Sequence, residues 1–128
     1  MSEKDGNKVT DLQDLEIYRE AMEIGESVWQ LVTTFPSFAQ SSLGNQFTRS
    51  ADSIAANIAE GYGRYHHKEN LRFCYYSRGS LRETECWLTK SVKRGLIDRE
   101  VGKQLFERLV NLRKRLNAYI KSIRRIVS

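Results

Sequence analysis

Proline occurs once in the 128 residues, at Pro36, so long stretches carry nothing that forbids an α-helix. Histidine is confined to the adjacent pair His66 and His67, and Glu-x-x-His occurs nowhere. Its absence excludes the di-iron carboxylate centre, which needs two such pairs projecting into a bundle with further glutamates. Two neighbouring histidines in a loop rarely reach one metal together, so both read as solvated loop residues. Cysteine is scarce too. Cys74 and Cys86 fall twelve residues apart in one predicted helix, about 18 Å along its axis, too far to bond within a chain. Each reads as a small hydrophobe rather than a reactive thiol. No apolar run approaches the roughly 18 residues of a membrane span, and the first residues hold no signal-peptide core, which predicts a reducing cytoplasm as the compartment. Gly61-Tyr62-Gly63 has dinucleotide-loop spacing but follows a helical pattern rather than a strand. Nowhere does a nucleophile stand with its base. The expectation is a protein without catalytic residues, cofactor, metal or small-molecule substrate.

What is present points to helices. A composition of 40% hydrophobic and 29% charged residues is ordinary for a globular chain, and this length buries a core without disulfides. Residues 1–10 show no periodicity and are predicted to be a mobile tail, leaving residues 11–128 as one domain. Four amphipathic segments follow, predicting an all-α, antiparallel up-and-down four-helix bundle. The first, Leu12 to Phe35, is capped by Asp11, ended by Pro36 and carries an acidic back of Glu16, Glu20, Glu23 and Glu26. The second starts at Ser37 and is stopped by Gly61 and Gly63. The third spans about Lys68 to Arg94, closed by Gly95, and the fourth runs from Arg99 to Val127 after Asp98.

The second segment shapes the functional reading. Phe47, Ala51, Ile54, Ala55, Ile58 and Tyr62 share one helical face, and Arg49, Ser53, Asn57, Glu60 and Arg64 form a narrow polar stripe opposite. Small, weakly charged residues suggest a helix approached closely on more than one side. That stripe is predicted to meet Arg72, Tyr76 and Glu83 of the third helix in a polar network that fixes helix register or a subunit contact. The third helix has two apolar faces: Cys74, Leu81, Leu88 and Val92 on one, and Phe73, Tyr76, Ser80 and Trp87 on another. A second face of that size on a small protein predicts contact with another subunit.

Charge is uneven. Residues 1–30 carry three basic and eight acidic side chains, whereas residues 93–128 carry eleven basic and three acidic. Either the first and last helices attract each other, or the basic end meets an anionic partner. The cations of the last helix, Arg99, Lys103, Arg113, Lys114, Lys121, Arg124 and Arg125, lie along one arc opposite its apolar residues. A run of one sign on a helix face gives a phosphate-tracking footprint, and these seven are the predicted nucleic-acid contacts.

Arg49-Ser50-Ala51-x-x-Ile54-x-x-Asn57-Ile58-Ala59-Glu60-Gly61-x-Gly63-Arg64, followed by Phe73 and by Gly79-Ser80-Leu81-x-Glu83, resembles the four-helix-bundle proteins encoded by intervening sequences within bacterial 23S rRNA genes. The likeness extends to Leu15 through Ala21 and to Phe35-Pro36, about residues 12–97; the last helix matches only in character, and Phe38-Ala39-Gln40 departs from the usual acidic pattern. The resemblance implies a homopentameric ring in a family related to the accessory variability proteins of diversity-generating retroelements, whose basic surface engages a reverse transcriptase and nucleic acid. It implies no catalytic activity. Together, residues and resemblance predict a non-enzymatic oligomer that binds RNA, rRNA included, through a basic helix surface. The alternative is a protein–protein adaptor or accessory subunit of a nucleoprotein complex without direct nucleic-acid contact.

Overall fold

The computed structural model describes residues 11–127; the tail expected at residues 1–10 lies outside them. The chain opens with a 3₁₀ turn, Leu12–Asp14, and the Asp11 carboxylate accepts the Leu12 N–H at 2.8 Å. Asp11 therefore caps this turn, and helix α1 begins later than its periodicity suggested, at Glu16–Val32. Phe35, outside the helix, is buried after two further turns, and Pro36 enters the next segment in an extended conformation. Ser37–Ala39 (α2), a π-helical turn at Gln40–Gly44 and Asn45–Tyr62 (α3) follow with helical dihedrals at each joint, forming one continuous rod. The remaining helices are α4, His67–Lys93, and α5, Arg99–Val127.

The caps follow the chemistry of their residues. Gly95 takes φ +76°, the left-handed region that glycine enters without cost, and lets Leu96 N–H reach back to the Ser91 carbonyl at 2.9 Å. Asp98 accepts the N–H groups of Glu100 and Val101 at the start of α5. Gly61 corrects the sequence reading. It does not stop α3 but lies buried within it, because a Cβ there would meet Asn70 Oδ1 at 2.6 Å and Phe73 Cβ at 2.9 Å. Its lost side chain brings α4 against α3 rather than ending the helix.

The four long rods form an antiparallel bundle in which α3 packs against α1 and α4, and α5 closes the circuit against α4 and α1. Their core-facing sides are the predicted ones: Ile17, Ala21, Ile24 and Val28 of α1; Phe47, Ala51, Ile54 and Ile58 of α3; Cys74, Leu81 and Leu88 of α4; Leu105, Leu109, Leu112, Leu116, Ile120 and Ile123 of α5. Each of the larger ones contributes about 1.5–3 kcal/mol by leaving water. The α3–α4 seam is polar as well as tight. Ser77 Oγ donates to the Ile54 carbonyl at 2.8 Å, and the Thr84 and Ser50 hydroxyls meet at 2.9 Å. Directional bonds between rods favour one register over neighbouring slips.

Candidate nucleic-acid interface

The acidic back of α1 and the basic α5 do meet. Arg115 of α5 pairs with Glu16 at 2.9 Å and Glu20 at 3.1 Å, and Arg108 donates to Ser27 at 2.8 Å. These contacts consume only cations on the α1-facing edge of α5. Arg99, Lys103, Lys114 and Lys121 are exposed, without a hydrogen-bond or ion-pair partner among the described residues. Arg125 is exposed beside them, and Glu107 interrupts the stripe between Lys103 and Lys114.

Arg113 and Arg124 face the other way. Arg124 Nε donates to Tyr75 Oη at 2.9 Å, its guanidinium 5.5 Å from that ring's centre. Arg113 reaches the Glu85 carboxylate of α4 at 3.4 Å, and Arg82 reaches the other oxygen of the same carboxylate at 3.0 Å. Glu85 is nearly buried, its side chain 8% exposed. One carboxylate thus fixes two guanidiniums at the α4–α5 seam. Arg78 completes the set, donating to Asn117 Oδ1 at 2.8 Å and lying 5.1 Å from the Tyr75 ring centre. Tyr75, Arg78, Gly79, Arg82, Arg113 and Asn117 line a groove of about 320 Å³. Three guanidiniums, two of them sharing the one Glu85 carboxylate, leave it positive, and arginine forks match phosphate oxygens two at a time.

Of these, the sequence reading found Arg113 and Arg124 but missed Arg78, Arg82, Glu85 and Asn117. The available signal was spacing: Arg78 and Arg82 stand four apart on the flank of α4 beside its core face, and α5 was the next helix in line to pack there.

The predicted α3–α4 polar set is dispersed along the rods. Arg64 pairs with Glu60 at 2.6 Å, approaches Glu69 at 3.9 Å and lies 4.8 Å over the Phe73 ring, which Tyr76 meets edge-on. Arg72 flanks the same ring at 5.9 Å. Asn57 donates to the Ser53 carbonyl within its own helix, Trp87 Nε1 donates to Glu83 at 3.3 Å, and Arg49 is exposed. Arg64, just past the end of α3, is the one member of the stripe with a contact to α4 among the described residues. The hydroxyls joining α3 to α4 are those of Ser50, Ser77 and Thr84, which the sequence reading did not single out. Phe73, Ser80 and Trp87 are half-buried, leaving Tyr76 the most open member of that second face.

The opposite side of the molecule is acidic. Tyr18, Met22, Gly25, Glu26, Asp52 and Ala56 line a groove between α1 and α3, where burial, and then the nearby Glu26 charge, raises the Asp52 pKa. Cys74 is buried, and burial pushes its thiol up to about 11, far from a thiolate at neutral pH. Burial likewise raises Tyr119, a shift opposed by the hydrogen bond from Asn70. Among the described residues no cluster of three His, Cys, Asp or Glu side chains is placed to hold a metal, and no helix is long and apolar enough to cross a membrane.

A model of the 23S rRNA-intervening sequence protein family matches residues 13–118. The chain belongs to that family. Its fold is similar to the crystal structure of a protein of unknown function from the S23 ribosomal protein family of Bacteroides thetaiotaomicron, with a TM-score of 0.73 and 22% identity over 82% of this chain and 98% of that one. Among curated proteins none matches the sequence. The family match contains the whole arginine groove lining but stops short of Lys121, Arg124 and Arg125.

Proposed function

We propose that this family member is a non-enzymatic, self-associating bundle that binds RNA through the α5 stripe and the adjoining α4–α5 groove. One observation carries the reading. After the ion pairs that hold α1 to α5 are made, Arg99, Lys103, Lys114 and Lys121 keep no partner among the described residues, and they flank a groove built from forked cations. Unmatched cations in a row are held at an electrostatic cost that a polyanion removes by releasing counterions. Self-association is supported by the large side chains left in solvent, Phe38 at 83% and Tyr65 at 91% exposure, together with Trp29, Tyr76 and Ile126. A ring would multiply weak phosphate contacts by avidity.

A second reading is favoured by the trough between α4 and α5 lined by Leu88, Val92 and Phe106 and rimmed by Lys93, Arg99 and Lys103. Its apolar floor and cationic rim suit an acidic amphipathic helix of a protein partner. The test is the triple change Lys103→Glu, Lys114→Glu, Lys121→Glu, assayed by anisotropy of a labelled RNA stem-loop. RNA binding by the wild type and its loss in a variant of unchanged melting temperature support the RNA reading. A wild type that binds no stem-loop at low salt favours the adaptor.

A further inference from the structure

Five glycines lie inside the helical segments, and four have an evident tenant. A Cβ on Gly25 would meet Asp52, on Gly44 Val32, on Gly61 Asn70 and on Gly102 Val92, each at 3.0 Å or less. Gly79 is different. It sits in the middle of α4, exposed, with helical backbone and nothing within 4 Å of where its Cβ would stand. Alanine there would strengthen the helix and touch nothing, so no requirement of the fold explains the glycine.

Gly79 forms part of the floor of the arginine groove. Around it stand Arg78 and Arg82 on its own helix and Arg113 across the seam, with Glu85 steering two of the three guanidiniums. We infer that this groove seats a phosphodiester of the RNA backbone and that Gly79 is the point of closest approach, its missing side chain admitting the phosphate between the forks. The inference deepens the RNA reading and rests on it. Arginine forks supply paired donors for two phosphate oxygens, and a bare helix backbone lets the sugar-phosphate chain lie flat. A second copy of this chain is the poorer occupant, because the acids Glu26 and Asp52, which gather at one cavity among the described residues, line a groove of their own, and two concavities do not interlock.

The experiment compares the full-length wild type, Gly79→Ala, Gly79→Leu and the exposed control Gln104→Leu, each measured for melting temperature, assembly size by light scattering and Kd for a labelled RNA stem-loop. The inference expects both Gly79 variants to melt at or above the wild type with assembly size unchanged. It expects Kd to rise severalfold for Gly79→Ala and at least about tenfold for Gly79→Leu, while Gln104→Leu binds like wild type. Equal affinity in Gly79→Leu overturns it and leaves the RNA reading standing. Loss of the assembly in Gly79→Leu, whatever its RNA affinity, overturns it in favour of contact with a second copy. A wild type that binds no stem-loop ends both readings together.

Discussion

Replacing Glu85 by alanine isolates the device that holds the arginine groove in shape. The carboxylate is 8% exposed and accepts from both Arg113 and Arg82, whose own side chains are 21% and 61% exposed. Removing it strands the two cations unequally. Arg82 is already in water, and its exposed pair contributes no more than about 1 kcal/mol. Arg113 is largely out of water and loses its carboxylate. A fully buried pair broken on one side costs about 3–5 kcal/mol, and one-fifth exposure lowers that to about 2–3 kcal/mol. The larger part is the desolvated charge rather than the lost bond, so Glu85→Ala combined with Arg113→Met should be more stable than Glu85→Ala alone by at least about 1 kcal/mol. Urea unfolding followed by circular dichroism at 222 nm reads Glu85→Ala, Arg113→Met and the double variant, with the midpoint moving while the slope holds. A single variant within about 0.5 kcal/mol of wild type, or a double variant that merely sums the two singles, would refute the reasoning.

Two further outcomes test the electrostatics and the core. The Asp52 carboxyl has a raised pKa in the folded state, so the native protein holds that proton more tightly than the unfolded chain does. The associated stability is present below the ordinary carboxylate range and is lost as pH rises through the raised pKa; Asp52→Asn should therefore raise the melting temperature at pH 7 and have little effect near pH 3, and a destabilised variant at pH 7 would contradict it. Of the two thiols, exposed Cys86 should react with a disulfide reagent at pH 8 in the native state, whereas Cys74, held up at about 11 inside the core, should react only once denaturant opens the bundle. Two equivalents reacting at the same rate without denaturant would refute this placement.

The fold was legible because apolar residues at helical spacing must be buried, and few competing solutions hide four such stripes. Phe47, Ile54 and Ile58, or Leu105, Leu112 and Leu116, announce their faces by periodicity alone. Helix starts were less legible: Asp11 caps a 3₁₀ turn, because the backbone bends at Leu15 before α1 begins. Gly61 misled for a physical reason, since glycine serves both to end helices and to let them touch, and only the position of Asn70 and Phe73 distinguishes the two. The α5 stripe was visible as charge on one helix. The groove was not, because its walls come from two helices and its geometry depends on Glu85, which in sequence looks like one more surface acid.

The most direct test is the salt dependence of RNA binding. If Arg99, Lys103, Lys114 and Lys121 each neutralise one phosphate per subunit, log Kd plotted against log salt should have a slope of magnitude at least about 3.6 for the wild type, at about 0.9 per phosphate as on a duplex, with the groove adding to it. The Lys103, Lys114 and Lys121 charge reversal should then leave no measurable affinity. Stem-loop affinity that is indifferent to salt, or that survives the triple reversal, would contradict an electrostatic RNA-binding surface on this bundle.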